Sequence, residues 1–148
     1  MADAAAIAAM SRELIEHGLP WTWRADRIRR ALAATHTNVA VIREAAELDA
    51  FGIMEYGDDD AHLVLFAVRR SCQRQGLGSA LLRWLEACAV AAGSKRIRLE
   101  ARKDNTAARI FYNEHGYHEL AIEPRRYSGR VDGICLEKWL HRSDADDA

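Results

Sequence analysis

The stretch that most constrains this chain is a strand, a short glycine loop and a helix written one after another. The apolar run Leu63-Val64-Leu65-Phe66-Ala67-Val68 has the length and composition of a buried strand. From Ser79 to Ala92, apolar residues recur at Leu81, Leu82, Leu85, Cys88, Ala89 and Ala92. That spacing of three and four marks one face of a helix, and Gly93 stands where a C-cap would. Between them lies Gln73-Arg74-Gln75-Gly76-Leu77-Gly78. Glycines let a backbone approach a ligand without a Cβ in the way. The first N–H groups of a helix lack internal partners and carry the positive end of its dipole, so such a loop suits an anion, most often a phosphate. Arg74 adds a charge at the rim. The loop is not a dinucleotide fingerprint, because Ala80 and Leu81 follow where a third glycine is needed. It is not a P-loop, because no Gly-Lys-Ser/Thr occurs. Taken alone, the glycines fit a plain strand–loop–helix joint equally well.

The size and charge of the chain set the class. At 148 residues it is one domain by length, 1–148, with room for a real core. Hydrophobic residues at 49% and charged residues at 29% describe an ordinary soluble globule. A formal net charge of −1 gives no electrostatic footprint for nucleic acid or an anionic membrane. Cys72, Cys88 and Cys135 are odd in number and share no metal-ligand spacing, so they read as free thiols in a reducing compartment. The Ala-rich N-terminus has no basic leader pattern, and no apolar run reaches spanning length. A cytoplasmic protein is the expectation.

Along the chain, Ala4 to His17 favours helix, with Ile7, Met10, Leu14 and Ile15 on one side, and Gly18 and Pro20 stop it. Trp21 and Trp23 follow in a short aromatic linker, where they either cap the core or line a substrate cleft. Asp26 to Ala34 reads as a second helix. Asn38–Arg43, Ala50–Tyr56 and His62–Val68 read as a three-stranded meander. After the Ser79 helix, Lys95 to Arg102 alternates, with Ile97, Leu99 and Ala101 on one face and Arg96, Arg98, Glu100 and Arg102 on the other. A strand–helix–strand unit makes a right-handed crossover, so this strand lies parallel to His62–Val68. Asp104 or Asn105 caps a helix through Glu114, which Gly116 ends. Tyr117–Glu123 and Ile134–Leu140 read as the last strands, joined by a loop from Pro124 to Gly133. The acidic tail from 141 to 148 is expected to fray.

The second chemical signal lies on the helix after Asn105. Asn105, Ala108 and Tyr112 fall at i, i+3 and i+7 and share one stripe, with Ala108 leaving room for something narrow. Two motifs therefore stand in order: Gln-Arg-Gln-Gly-Leu-Gly at 73–78, and Asn-Thr-Ala-Ala-Arg-Ile-Phe-Tyr-Asn-Glu-His-Gly-Tyr at 105–117. Together they resemble the acyl-CoA signatures of the GCN5-related N-acetyltransferase (GNAT) family. The run Leu99-Glu100-Ala101-Arg102 is similar to the ribosomal-protein alanine N-acetyltransferases within it.

The resemblance implies a mixed, largely antiparallel α/β sheet flanked by helices, in which a parallel strand pair splays to form a slot for pantetheine. It implies acetyl-CoA as cofactor, with the diphosphate held by Gln73, Arg74, Gln75, Gly76, Leu77, Gly78 and Ser79. Pantetheine would lie on Phe66, Ala67 and Val68, with Asn105 and Ala108 beside it. A backbone N–H of Ala67 or Val68 would face the thioester oxygen, where charge gathers in the transition state. Tyr112 would return a proton to the departing thiolate. Glu100 would serve as general base, because an ammonium must lose a proton before it attacks; a carboxylate suits that task when burial raises its pKa. Arg98 and Arg102 on its face make a plain ion-paired strand residue the competing reading.

The resemblance implies direct transfer to a primary amine, either a small molecule or a peptide N-terminus. The alternative is a module that senses acyl-CoA without turnover. Trp21, Trp23, Arg126 and Tyr127 are the candidate acceptor wall. Cys72 is too near the phosphate loop for an acyl-cysteine route, and His115 and His118 are parted by Gly116, so no metal site is expected. A homodimer stays open. The family opens with a strand, whereas residues 1–17 here read as helix throughout.

Overall fold

The computed structural model describes residues 2–44, 47–73, 76–127, 129 and 131–140. Expectations that rest on Arg74, Gln75, Arg130 and the tail from 141 onward lie outside the described residues. The chain runs α1 (Ala2–Leu14), α2 (Ala25–Ala33), β1 (Thr37–Arg43), β2 (Leu48–Tyr56), β3 (Asp60–Val68), α3 (Leu77–Ala91), β4 (Arg96–Arg102), α4 (Thr106–Glu114), β5 (His118–Tyr127) and β6 (Val131–Trp139). A single 3₁₀ turn, Arg70–Cys72, stands between β3 and α3. The strands form one sheet in the order β1-β2-β3-β4-β6-β5. The pairs β1–β2, β4–β6 and β5–β6 are antiparallel, and β3–β4 is parallel, as a crossover through α3 requires. Among the described residues no strand precedes α1.

Two compact units make up the chain. The first holds α1, α2, β1, β2, the part of β3 from Val64 onward, and α3 as far as Leu85. Its core is Ile7, Ala8 and Met10 of α1, Ile28 of α2, Leu48, Phe51 and Ile53 of β2, and Leu65 and Ala67 of β3. The α1 residues recur on one helical face, so burying that face is what holds α1 in place. Trp21 and Trp23 pack against the same cluster, and the Trp21 indole N–H donates to the Ala8 carbonyl at 3.2 Å. Glu16 is buried and takes the backbone N–H of Thr22 at 2.8 Å, with the Ser11 hydroxyl at 3.1 Å. One carboxylate thus fastens the aromatic linker to the end of α1. Gly52 of β2 lets helix and strand close up: a Cβ there would lie 2.7 Å from Leu85 Cδ1 and 3.3 Å from Phe66 Cδ2.

The second unit holds the first half of β3, the rest of α3, β4, α4, β5 and β6. Ile97, Leu99 and Ala101 are buried, as the alternation of β4 predicts, and Tyr117, Ile134 and Leu136 are buried with them. The Tyr117 hydroxyl donates to Glu86 Oε2 at 2.8 Å, and the Lys138 ammonium reaches the same carboxylate at 3.1 Å.

One expectation changes. The segment read as a loop after Glu123 continues as strand to Tyr127, which pairs with Val131. Pro124 has no N–H for the ladder, and Arg125 takes a left-handed φ of 51°, so the two bulge out and pairing resumes beyond them. The Arg125 N–H is satisfied by Asp132 Oδ1 at 2.8 Å.

Candidate active site

In the first unit the glycine turn is a helix start. α3 begins at Leu77, two residues before the sequence pattern placed it, and Ala80 N–H bonds back to the Gly76 carbonyl at 3.0 Å. The amides of Leu77, Gly78 and Ser79 therefore precede the helix's own ladder. Gly76 has φ +82°, and a Cβ there would touch nothing within 4 Å. Its glycine is demanded by backbone conformation, which aims the chain into α3. The Gln73 side chain turns back and donates to the Val68 carbonyl at 2.9 Å, tying the turn to the end of β3. Phe66 and Val68 are half-buried and Ala67 is buried.

The β3–β4 ladder runs from Asp60↔Arg96 to Leu63↔Leu99. Both strands continue past it, to Val68 and to Arg102, so the ladder ends partway along each.

In the second unit Glu100 is the centre of a charged cluster. Its Oε1 lies 2.6 Å from His62 Nε2 and 3.1 Å from Arg126 Nη2. Arg126 Nη1 also reaches Glu123 Oε2 at 2.9 Å, so one guanidinium bridges two carboxylates. Two residues before Glu100 on β4, Arg98 Nη2 lies 3.8 Å from the Sγ of the buried Cys135 on β6. A carboxylate oxygen of Glu100, one of Glu123 and the Cys135 sulfur lie within 4.8 Å of one another. Two guanidinium groups already face those donors, so a cation entering there would have to displace Arg126.

Burial pushes the Glu100 carboxyl up. The hydrogen bond from His62 and the charges of His62, Arg126 and Arg98 outweigh that push and hold it below the ordinary glutamate value. The base expected from sequence therefore stands ionised, although not by the route of a raised pKa. Of the two arginines expected to pair with it, the charge of Arg98 still bears on Glu100, whereas Arg102 pairs with Asp104 at 3.0 Å.

β6 makes room for this cluster at Gly133. A Cβ there would meet Arg126 Cδ at 3.1 Å and Tyr127 Cε2 at 3.2 Å. The lack of a side chain lets both residues lie across the strand. Burial pushes the Tyr127 phenol up to about 12, with Arg126 pulling the other way and Glu100 adding to the rise. Tyr112 on α4 is buried, and burial followed by the nearness of Tyr127 raises its phenol well above the ordinary value. Tyr112 also stacks edge-on against Phe111 and Tyr117, at centroid distances of 5.3 and 5.6 Å. Asn105 is the N-cap of α4, its side-chain oxygen accepting from Ala108 N–H at 3.1 Å, and Ala108 is half-buried one turn on.

Thus Glu100, Arg126, Tyr127 and Tyr112 come together in one unit, with Asn105 at the head of the helix that carries Tyr112. The tryptophans stand in the other unit. Trp21 lies under Arg12 and Arg24, while Trp23, with Arg27 stacked at 3.7 Å, edges an open groove with Arg30, Thr37, Ile53 and Glu55. His62 is absent from the residues expected at the site. It stands 38 residues from Glu100, and only the parallel register, which sets His62 opposite Arg98, brings the two together. The alternation of β3, which places His62 on the half-buried face with Val64 and Phe66, is the one sequence signal that could have found it.

The chain is similar in sequence and fold to known proteins. Residues 12–117 match the family described as "Acetyltransferase (GNAT) family". The [ribosomal protein bS18]-alanine N-acetyltransferase of Escherichia coli is 33% identical over 135 residues, 87% of either chain. The crystal structure of the ribosomal-protein-S18-alanine N-acetyltransferase from Escherichia coli superposes with a TM-score of 0.80 at 27% identity, covering 97% of this chain and 91% of that one. An uncharacterized N-acetyltransferase of Methanocaldococcus jannaschii is 35% identical over 88 residues, and the match spans 55% of that protein. An aminoglycoside 6'-N-acetyltransferase solved with coenzyme A shares the fold, with a TM-score of 0.75 at 17% identity over 96% of this chain and 92% of that one.

Proposed function

The chain belongs to the acetyltransferase (GNAT) family, and we propose that Glu100 and Tyr112 are the base and the acid with which it moves an acetyl group from acetyl-CoA to a primary amine. The observation that carries this is the grouping of an ionised, mostly buried Glu100 with Tyr127 and the buried phenol of Tyr112. The chain's own residues suit the cofactor. Gly76 opens α3 with a left-handed turn, which favours an anion such as the diphosphate at the first helical amides. Gln73, Leu77, Gly78 and Ser79 complete that cradle; Arg74 and Gln75, expected in it from the sequence, lie outside the described residues. Asn105 uses its oxygen for the cap, which leaves its amide hydrogens to donate to the pantetheine arm beside Ala108. The backbone of Phe66, Ala67 and Val68 lies beyond the β3–β4 ladder; a backbone N–H of Ala67 or Val68 steadies the thioester oxygen.

Acetyl-CoA supplies the activated acyl group, and the protein supplies position and protons. Holding the amine about 3–3.5 Å from the thioester carbon contributes several kcal/mol by proximity alone. Glu100 takes a proton from the incoming ammonium, and the free amine attacks. Burial keeps Tyr112 protonated at working pH, the form in which it returns a proton to the leaving thiolate. The acceptor is a peptide or protein N-terminus, a reading supported by the relatives that acetylate a ribosomal-protein alanine. Arg126 and Tyr127 form its wall, whereas Trp21 and Trp23 pack on the first unit's core.

The test is release of free thiol from acetyl-CoA with peptides beginning in alanine and a panel of small amines. Tyr112→Phe should lower the rate by about 10²-fold, within the range of a lost acid or base, while CoA binding stays within about two-fold. CoA binding without turnover on any amine would make the chain an acyl-CoA sensor instead.

A further inference from the structure

We propose that His62 is the outlet of the base: it takes from Glu100 the proton that the acceptor ammonium gives up and passes it to water. This rests on the reading of Glu100 as base. The two side chains meet through His62 Nε2 and Glu100 Oε1 at 2.6 Å, close enough for direct transfer. They differ in exposure, the His62 side chain at 39% and that of Glu100 at 12%. The pair therefore runs from a mostly buried carboxylate to a wet imidazole. The contact is fixed by the backbone, since His62 sits within the paired stretch of β3 and Glu100 one residue beyond the matching stretch of β4.

The need for an outlet follows from the surroundings. Against burial, the hydrogen bond and charge of His62, and then the charges of Arg126 and Arg98, hold the carboxyl below its ordinary value, so a proton placed on Glu100 leaves readily and must have somewhere to go. Histidine is the side chain built to change charge between pH 5 and 8. The charged and titratable groups facing the pair are Arg98 from β4, Glu123, Arg126 and Tyr127 from β5, and Cys135 from β6. Two carboxylates against two guanidinium groups leave the site near neutral, so it tolerates a transient imidazolium. The steps balance. The ammonium N–H bond breaks as the Glu100 O–H bond forms; that O–H breaks as the proton moves to His62 Nε2; the imidazolium then releases a proton to water. No electron changes hands. His62 acts through Glu100 and is a positioning and relay residue, with no contact to the acyl group required.

His62→Gln keeps an N–H donor for Glu100 but cannot carry the proton. With acetyl-CoA and a peptide beginning in alanine, wild-type kcat should fall on the acid side of neutrality. The variant should lose that limb, and its kcat at pH 7 should drop by about 10- to 100-fold, the lower end of general acid–base effects. Acetyl-CoA binding and the peptide KM should move less than about two-fold, which a damaged fold would not allow. A second arm needs no turnover. The His62 Nε2 resonance, assigned by its loss in His62→Gln, is followed by NMR in wild type and in Glu100→Gln. Removing the carboxylate should shift that resonance, the sign of a lost hydrogen bond to Oε1. An unchanged kcat profile in His62→Gln, or an unmoved Nε2 resonance in Glu100→Gln, overturns the relay. If Glu100→Gln turns over at the wild-type rate, the base assignment itself fails. If it is inactive while His62→Gln behaves as wild type, only the relay fails.

Discussion

Asn105 carries two duties that a pair of substitutions can separate. Its side-chain oxygen caps α4 through Ala108 N–H, and its amide hydrogens are assigned to the cofactor. Asn105→Asp keeps a capping oxygen of equal rank and removes the donor, so unfolding by urea should change by less than about 0.5 kcal/mol while CoA affinity falls several-fold. Asn105→Ala loses both, with about 1 kcal/mol of stability added to the affinity loss. Equal CoA affinity in the Asp variant and wild type would remove Asn105 from the cofactor site. Residues of this kind were legible because their partners are local: Asn105, Ala108 and Tyr112 lie on a single helical stripe. Glu100 was legible as a residue but not in its company. His62 and Arg126 reach it from 38 and 26 positions away, and no periodicity within a strand reports a partner on another.

At the scale of elements, the close approach of α3 to the sheet depends on a residue that looks unremarkable in sequence. Gly52 sits inside β2 with the fully buried Leu85 only 2.7 Å from where a Cβ would stand, and Leu85 has no open space to retreat into. Gly52→Ala should therefore destabilise the protein by about 1–3 kcal/mol, the cost of overpacking a filled core, read as a lower urea midpoint at unchanged m-value. A midpoint equal to wild type would mean that α3 shifts freely. Why some elements were readable and others not follows from their physics. β4 alternates cleanly because one of its faces is buried, and α3 announces itself by its apolar stripe and Gly93. The extension of β5 past Glu123 was hidden because Pro124 and Arg125 carry loop chemistry. They form a bulge inside the strand, and the strand resumes beyond it.

For the whole molecule, the balance of acid and base sets the response to pH. Arg96 holds Asp60 down by its hydrogen bonds, and Arg109 does the same to Glu119. At Glu100 burial pushes up and His62 with its neighbours pulls further down. A carboxyl whose folded pKa lies below its unfolded one contributes stability that is fully present above the unfolded value, near about 4. That stability is lost as pH falls through the folded value. The urea midpoint should thus hold from pH 7 to about 5 and decline below about 4, and high salt should blunt the part owed to exposed pairs. A midpoint that rises on acidification would contradict these pairings.

The outer strand of the sheet answers a different hazard. β5 ends the strand order and presents Leu120 and Ile122 largely to solvent, the pattern of an edge on which another chain could stack. Its ladder skips at Leu120 and again at Pro124–Arg125, so no long straight row of backbone groups faces outward. The same bulge that bends the chain ahead of Arg126 and Tyr127 therefore also interrupts the row of edge groups on which a further strand would pair.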